Sequence, residues 1–573
     1  MSDTPLPSIA APDNGHPRKW LILAAVSLGM FMALLDVTIV NIAVPAMRED
    51  LDATLTQISW VINAYNLAMA ALFLSMGRIS DKFGQKLVFV SGVALFTLFS
   101  LLCGLAPSIE WLIAARVGQG IGGAMMMPVS LSILMGAFPK RQHGTAVGVW
   151  GALGTAAAAL GPSIGGILVT YVSWHWIFFI NVPIGIGAFI FALVVVPERK
   201  RAGAAGGVDI GGILLSTGGL FCLVLALVQG NDWGWTSWRI LLLFAIALAC
   251  YPVFYLWETR VKSPMFDFRL LRIRSFTAAN TAIMAMGTAL GGAMLLLVIF
   301  MVSVMGYSEL KAALAITFMP FTALFVAPVA GRLVDRIGPR YLASAGLSLF
   351  GIGLVLVAQL GADATIQNVA WRLMIMGFGM GLSMPSLASA AMSSLPPQFG
   401  GVGAGAFSTL RQIGLVLGVA MSISIFTHTA ALEVKTAADK AVTYVAALGE
   451  IPPPAKIQII GGLKATAAKA ESGGSEASRN IGAGEVQMPA PPPGTPPEQV
   501  AQIEAQQKSL GAQIAGFFRA QIAQAFAWPF YAAALAAFLG VIPAFFTGRR
   551  LGEHEGHHEM DRAERAAAAD SEA

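Results

Sequence analysis

The sequence predicts an all-α integral membrane protein of fourteen transmembrane helices, built as two six-helix bundles with two extra helices between them in the chain. Three observations carry this. Of 573 residues, 56% are hydrophobic and 12% charged, with a mean hydropathy of +0.70, against a charged share of about 25% in soluble domains. The apolar residues gather in fourteen runs that approach or exceed the ~20 residues needed to cross a bilayer as α-helix. A ten-residue turn, Gly77-Arg78-Ile79-Ser80-Asp81-Lys82-Phe83-Gly84-Gln85-Lys86, recurs with the same spacing as Gly331-Arg332-Leu333-Val334-Asp335-Arg336-Ile337-Gly338-Pro339-Arg340, each copy between two apolar runs. Helices and closed barrels alone satisfy their backbone in hydrocarbon, and continuous runs rather than ten-residue alternation select helices.

The runs centre on residues 19–42, 57–76, 87–106, 111–135, 145–171, 177–196, 209–229, 239–257, 276–305, 311–330, 341–360, 366–393, 402–428 and 527–547. The first is too long for a signal peptide, holds Asp36 and has no small-residue cleavage site after it, so it reads as a retained helix. Basic residues precede or follow alternate runs: Arg18 and Lys19, Lys82 and Lys86, Lys140 and Arg141, Arg199 to Arg201, Arg260 to Arg274, Arg332 to Arg340, and Arg549 and Arg550. With alternating helices all fall on one side, which puts both termini in the cytoplasm of a bacterial-type inner membrane. The formal charge of +5 is therefore an orientation signal, and no nucleic-acid partner is expected. The opposite loops are edged by Trp60, Trp111, Trp174, Trp176, Trp233, Trp235 and Trp238, which read as interfacial anchors. Cys103, Cys222 and Cys250 all lie in apolar runs and form neither a disulfide framework nor a metal-ligand spacing.

The doubling extends beyond the turn. Arg116, Gly120, Gly122 and Met127-Pro128 are echoed by Arg372, Gly377, Gly379 and Met384-Pro385, and Gly144, Gly148 and Gly151 by Gly401, Gly405 and Ser408. The repeats bracket the seventh and eighth runs, which become the extra pair. The chain divides into a cytoplasmic tail (1–18), an N-terminal six-helix bundle (19–196), two inserted helices with their loops (197–275), a C-terminal six-helix bundle (276–547) and a second cytoplasmic tail (548–573). Within the second bundle, residues 429–526 are rich in Ala, Pro, Gly and Gln and fall on the external side. They read as a partly disordered excursion with amphipathic helix near 430–448, which leaves a periplasmic adaptor protein, or a cap on the external mouth, open as a role.

Leu35-Asp36-Val37-Thr38-Ile39-Val40-Asn41-Ile42-Ala43-Val44-Pro45 resembles the first-helix signature of the fourteen-helix drug:proton antiporters of the EmrB/QacA type, within the major facilitator superfamily. Arg116-Val117-Gly118-Gln119-Gly120-Ile121-Gly122-Gly123 resembles the fourth-helix motif, and Gly154 through Gly161-Pro162-Ser163-Ile164-Gly165-Gly166 the fifth-helix antiporter motif. Trp174-His175-Trp176 through Asn181-Val182-Pro183 is similar to the entry of the sixth helix, with His175 where Arg is usual. The resemblance implies the major facilitator fold, alternating access and an inner gate made by the repeated turn.

Asp36 stands out because a charged side chain at mid-membrane costs about 2.5–3.5 kcal/mol on insertion scales. It must be paired, wet or protonated, and a carboxylate whose water access changes can load a proton on one side and release it on the other. Asp36 is thus the expected proton carrier, with Arg116 as counter-charge; the resemblance gives Arg116 the role of tuning the proton site. The plainer alternatives are a carboxylate bonded only within helix packing and a structural Arg. Arg411, mid-helix where the fifth helix has Gly154, is expected to face the cavity or the gate. The substrate cavity is expected between the halves, with Asn41, Gln57, Trp60, Asn63, Tyr65, Asn66, Gln119, Met127, Met384 and Arg411 as lining candidates. Gly77, Asp81, Lys82, Gly84, Lys86, Gly331, Asp335, Arg336 and Gly338 form the expected gate, where charge pairs and helix dipoles latch the halves. Gly161, Pro162, Gly165 and Gly166 supply close helix packing and a hinge or seal.

No phosphate loop of the GxxxxGK form is present, so no cofactor is expected. A proton moving through 100 mV supplies about 2.3 kcal/mol, and each pH unit about 1.4. No nucleophile–base or metal set appears in the runs, which argues against an enzyme. The expected partners are protons, small amphipathic substrates and the lipid bilayer. The expected function is proton-coupled export of hydrophobic or amphipathic drugs and toxic compounds; the alternative is a dedicated exporter of one metabolite, siderophore or fatty acid.

Overall fold

The computed structural model describes residues 15–198, 209–261, 263–448, 451, 453–472 and 497–548. Expectations for residues 1–14, for Arg199 to Arg201, for residues 473–496 of the long external segment and for the tail from 549 onward lie outside the described residues.

Among the described residues, fourteen helices are long and apolar enough to cross a membrane. The first bundle holds α1 (Lys19–Asp50), α2 (Leu55–Phe83), α3 (Gln85–Gly104), α4 (Ile109–Ala137), α5 (His143–Tyr171) and a sixth span made of α6 (Trp176–Phe179) and α7 (Asn181–Val195). Next come α8 (Ile210–Trp233) and α9 (Trp238–Glu258). The second bundle holds α10 (Arg274–Ser303), a span made of α11 (Glu309–Ile316) and α12 (Phe318–Ile337), α13 (Pro339–Ala358), α14 (Ile366–Ser393) and α15 (Gly400–Ala447). It ends, after α16 (Pro453–Ser472), with α17 (Pro497–Ala544). The end of the molecule carrying the two repeated turns is the basic end, and the opposite one the far end.

Five helix starts at the far end carry their own caps. Thr54 and Gln57 form a capping box at the start of α2, and the hydroxyls of Ser108, Ser237, Ser308 and Thr365 accept backbone N–H groups at the starts of α4, α9, α11 and α14. At the basic end α2 and α12 stop at Gly84 (φ 109°) and Gly338 (φ 84°), a left-handed turn that a side chain would strain. Those two glycines let the chain reverse immediately into α3 and α13.

The two halves repeat one packing scheme. Helix α1 lies on α5 as α10 lies on α15, and α3 on α4 as α13 on α14; the halves meet where α5 packs on α12 and α2 on α15. The inserted pair is central in the chain but peripheral in space. Helix α8 lies over the seam between α2 and α15, and α9 lies outside it on α8, with Trp238, Leu241 and Leu248 exposed.

The described residues of the long segment 429–526 are more ordered than its composition suggests. Helices α15 and α17 are 48 residues each, or about 70 Å at ~1.5 Å per residue, more than twice the hydrocarbon thickness. Both therefore run on beyond the far end. Ala430, Val434, Ala437, Ala441 and Val445 of α15 are buried with Leu510, Ile514, Phe518 and Ile522 of α17 and with Ile459 and Leu463 of α16. Spacings of three and four residues place each set on one face, and Ala lets the backbones approach closely. The same Ala content lowers the segment's hydrophobicity and gives it the composition of a disordered linker.

Candidate functional site

Asp36 lies in the middle of α1 and is fully buried. Arg116 of α4 is ion-paired to Asp36 Oδ2 through Nη1. Gln119, one turn further along α4, donates from Nε2 to Asp36 Oδ1 at 2.9 Å, and Asn181 of α7 donates from Nδ2 to the same oxygen at 3.4 Å. Four helices of the first bundle thus converge on one carboxylate, because Ser100 of α3 completes the shell by accepting from Asn181 at 3.1 Å.

The guanidinium is held as firmly as the acid. Arg116 Nε donates to the Val61 carbonyl at 3.0 Å, Nη1 also donates to Gln119 Oε1 at 2.7 Å, and the Tyr65 ring stacks under it at 4.1 Å. Tyr65 in turn donates to the Ala33 carbonyl at 3.3 Å. A buried charge of either sign is tolerated only when paired and hydrogen-bonded, and here each partner satisfies the other. Chemically the cluster is a carboxylate with one full positive charge and two neutral amides around it, an arrangement whose pairing changes when the acid gains a proton.

This geometry moves two residues out of the expected cavity. Tyr65 and Gln119 are fully buried around the ion pair and line no open space in this conformation. Gln57 belongs to the capping box at the far end of α2 and also donates to Glu110 at 3.1 Å, so its amide is used for helix initiation. Met127 lies in the core of the first bundle. Trp60 packs with Leu67, Ala70, Val224 and Val416 in the seam of α2, α8 and α15, and Trp174 is buried with its indole N–H on Asp50 at 2.9 Å. Neither tryptophan is a free interfacial anchor. Asn63, Asn66, Met384 and Arg411 are half-buried and Asn41 is exposed, its amide donating to the Val37 carbonyl at 3.1 Å. Asn181 and Ser100 are the partners that sequence reasoning missed: Asn181 lies within the sixth-helix motif, but no spacing there shows that it faces Asp36.

At the basic end the two repeated turns do the same thing in opposite directions. Asp81 accepts the backbone N–H groups of Gly401 at 2.8 Å and Val402 at 2.9 Å, at the N-terminus of α15. Asp335 accepts those of Gly144 at 2.7 Å and Thr145 at 2.8 Å, at the N-terminus of α5, together with the Thr145 hydroxyl. Neither α5 nor α15 has a side-chain cap from its own preceding residue. Each is capped by a carboxylate of the other half, where the orphan N–H groups and the positive helix end favour a negative charge.

The glycines make this approach possible. A Cβ on Gly77 would strike the Gly401 carbonyl, and one on Gly331 the Gly144 carbonyl. A third contact across the halves joins His143 Nδ1 to Ser393 Oγ at 2.9 Å. The basic residues of the turns serve other ends: Lys86 donates to the Leu193 carbonyl in the last turn of α7 at 2.7 Å, Arg340 stacks on Phe545 at 3.6 Å, and Arg336 is exposed. The expected latch is therefore carboxylate on helix end, with Lys86 and Arg340 tying each turn to the last span of its own half.

The Gly-Pro motif of α5 packs against the helix that carries Asp36. Cβ atoms on Gly161 and Gly165 would meet Thr38 and Ile39 of α1, and one on Gly154 would meet Met30 and Leu34, whereas Gly166 faces Leu310. Gly144 and Gly148 face α12 instead. Helix α5 thus touches both the Asp36 helix and the opposite half. Among the described residues no three or more His, Cys, Asp or Glu converge to hold a metal ion.

Two pseudo-symmetric helical halves, locked together at one end and enclosing a charge pair inside the membrane, define a membrane transport protein. Residues 26–419 match the model of the Major Facilitator Superfamily, and the chain belongs to that family. It is 33% identical over 406 residues to the tetracenomycin C resistance and export protein of Streptomyces glaucescens, covering 70% of this chain and 75% of the relative. It is 34% identical over 405 residues to the methylenomycin A resistance protein of Streptomyces coelicolor (70% and 84%), and 34% identical over 406 residues to the multidrug resistance protein Stp of Mycobacterium tuberculosis (70% and 74%). Among solved structures, the human organic anion transporter MFSD10 superposes with a TM-score of 0.55 at 14% identity, over 72% of this chain and 94% of that one, and shares the fold. The chain is a multi-pass transporter of small molecules, not an enzyme.

Proposed function

We propose that the protein is a proton-coupled antiporter that exports hydrophobic or amphipathic compounds across the cytoplasmic membrane, with the basic end and both termini in the cytoplasm. The observation that carries the reading is the Asp36–Arg116 pair, a carboxylate in the membrane interior whose charge is balanced inside one half. Protonation of Asp36 would release Arg116 and loosen the cage of α1, α4 and α7. Helix α1 is packed on the glycine face of α5, and α5 begins under Asp335 of the other half. A change at Asp36 thus has a continuous mechanical route to the latch, which supports alternating access driven by a proton gradient without a cofactor.

The latches hold the basic end closed in this conformation, so substrate would leave by the far end. The test is drug-stimulated proton flux in proteoliposomes holding the wild type or Asp36→Asn. Wild-type flux lost in the variant is the expected result; uphill, proton-dependent export by Asp36→Asn would remove the assignment. A narrower reading, export of a single compound, draws support from the relatives named for one antibiotic each. Transport of a substrate panel separates the two.

A further inference from the structure

Arg411 is a second charge in the membrane interior, and nothing among the described residues balances it. It lies on α15 between the segment crossing α2 at Gly401 and Gly405 and the segment crossing α10 at Gly414 and Gly418, level with Gly287 of α10. Eleven residues separate it from the start of α15 at Gly400, about 16 Å of helix, half the ~30 Å of hydrocarbon. It is therefore near the midplane and at the boundary between the halves.

Its surroundings hold no compensating acid. Helices α10, α13 and α14 contain no Asp or Glu, and the first acid of α15 is Glu433 beyond the membrane portion. The carboxylate of Asp335 in α12 is engaged by α5. Asp36 is balanced one-for-one by Arg116. Among the described residues Arg411 makes no hydrogen bond, ion pair or ring contact, in contrast to Arg116, whose nitrogens reach Asp36, Gln119 and the Val61 carbonyl.

A guanidinium does not become neutral in a protein, and a charge at the bilayer centre faces a water-filled cavity or a partner rather than lipid. Arg411 is half-buried, so it is neither sealed in a core nor at the surface. The planar fork that matches a carboxylate with two parallel hydrogen bonds is free.

We propose that Arg411 is the substrate-charge receptor of the central cavity, and that the preferred cargo is an amphiphile bearing an anionic group, such as a carboxylate, on an apolar ring system. The inference rests on the export reading above for the word cargo, but the binding chemistry stands on Arg411 itself. The acid of the substrate supplies the counter-charge that the second half lacks, while its rings occupy the apolar space between the bundles.

The test uses three ligands that share one ring system and differ in charge: 9-anthracenecarboxylate, its methyl ester and 9-(aminomethyl)anthracene. Equilibrium binding to the purified full-length protein in detergent is read by ligand fluorescence, with no gradient present. The wild type is expected to bind the carboxylate at least tenfold more tightly than the ester and the amine. Arg411→Gln should lower carboxylate affinity to that of the ester and leave the ester unchanged. Arg411→Lys, which keeps the charge without the fork, should fall between them and keeps the test readable if Arg411→Gln does not purify. Equal wild-type affinity for the three, no measurable carboxylate binding, or an equal loss of all three in either variant would overturn the proposal. A wild type that binds the carboxylate but moves no solute in vesicles would overturn the export reading alone; one that exports neutral compounds without preferring the carboxylate would overturn this inference alone.

Discussion

Asp335 accepts the backbone N–H of Gly144 at 2.7 Å across the boundary between the two halves. The bond is a helix N-cap supplied in trans. Helix α5 leaves its first N–H groups without a partner from its own side chains, and the other half provides the carboxylate. Asp81 does the same for α15. Separation of the halves at this end would uncover two helix N-termini and two carboxylates together, so closure and capping are one equilibrium.

Loss of either carboxylate should therefore open the basic end. Hydrogen bonds to charged groups contribute about 1.5–3 kcal/mol each, and Asn keeps the shape while giving up the charge. Asp81→Asn and Asp335→Asn are each expected to shift the closed-to-open ratio by roughly tenfold or more, about 1.4 kcal/mol, and the double variant further. Spin labels placed one on each half at the basic end would read this as growth of a longer distance. Unchanged distance distributions in the double variant would show that capping in trans does not hold the gate.

The glycines set a separate, steric limit. A side chain at Gly77 or Gly331 would meet a backbone carbonyl of the opposite helix, and a backbone atom cannot swing away as a side-chain tip does. Gly77→Val and Gly331→Val should remain folded, since each half keeps its own core, yet fail to close at the basic end. Transport in vesicles is expected to fall at least tenfold with little change in the yield of monodisperse protein.

Much of this gate is legible in the sequence, because the turn is short, local and repeated. Asp81, Gly77 and Gly84 keep their offsets in Asp335, Gly331 and Gly338, and a local pattern survives without knowledge of tertiary contacts. The partner of each Asp is not legible. Which helix crosses the turn is a three-dimensional fact, and a backbone N–H leaves no side-chain signature. The place of Gln119 is hidden for a related reason: α4 is buried on nearly every face, so no polar stripe separates residues facing Asp36 from those facing open space. The amphipathic helix expected near 430–448 is present as the end of α15, whereas α16 and the far-end part of α17, Ala- and Gln-rich helices that pack on it, have the composition of a linker.

The Asp36–Arg116 pair should be worth more as a pair than either member alone. Removing one partner of a buried pair typically costs about 3–5 kcal/mol, because the other charge is left unmatched. Asp36→Asn and Arg116→Gln are each expected to lower the melting temperature in detergent, while Asp36→Asn with Arg116→Gln should recover much of that stability and none of the proton flux. A double-mutant cycle on melting and flux measures both. Full additivity in stability would mean that the two groups do not act together.

Asn181 offers the most specific probe of the cage, because its amide touches Asp36 Oδ1 at 3.4 Å and Ser100 Oγ at 3.1 Å while its own Oδ1 has no hydrogen-bond partner. Two isosteric or near-isosteric replacements pull in different directions. Asn181→Leu removes a donor to Asp36 and also the unpartnered acceptor, so its cost in stability should be small, within about 1 kcal/mol, and proton-linked transport should fall about three- to tenfold. Asn181→Asp keeps the size but sets a second carboxylate against Asp36, and two carboxylates this close cannot both ionise. A shared proton would then be trapped at the site, and transport should fall by well over tenfold although the side-chain volume is unchanged. Flux through vesicles at fixed gradient, with melting temperature as the control for folding, gives the ordering wild type above Asn181→Leu above Asn181→Asp. A reversed order, with the charged variant the more active, would show that Asn181 shapes the packing of α7 and takes no part in the state of Asp36.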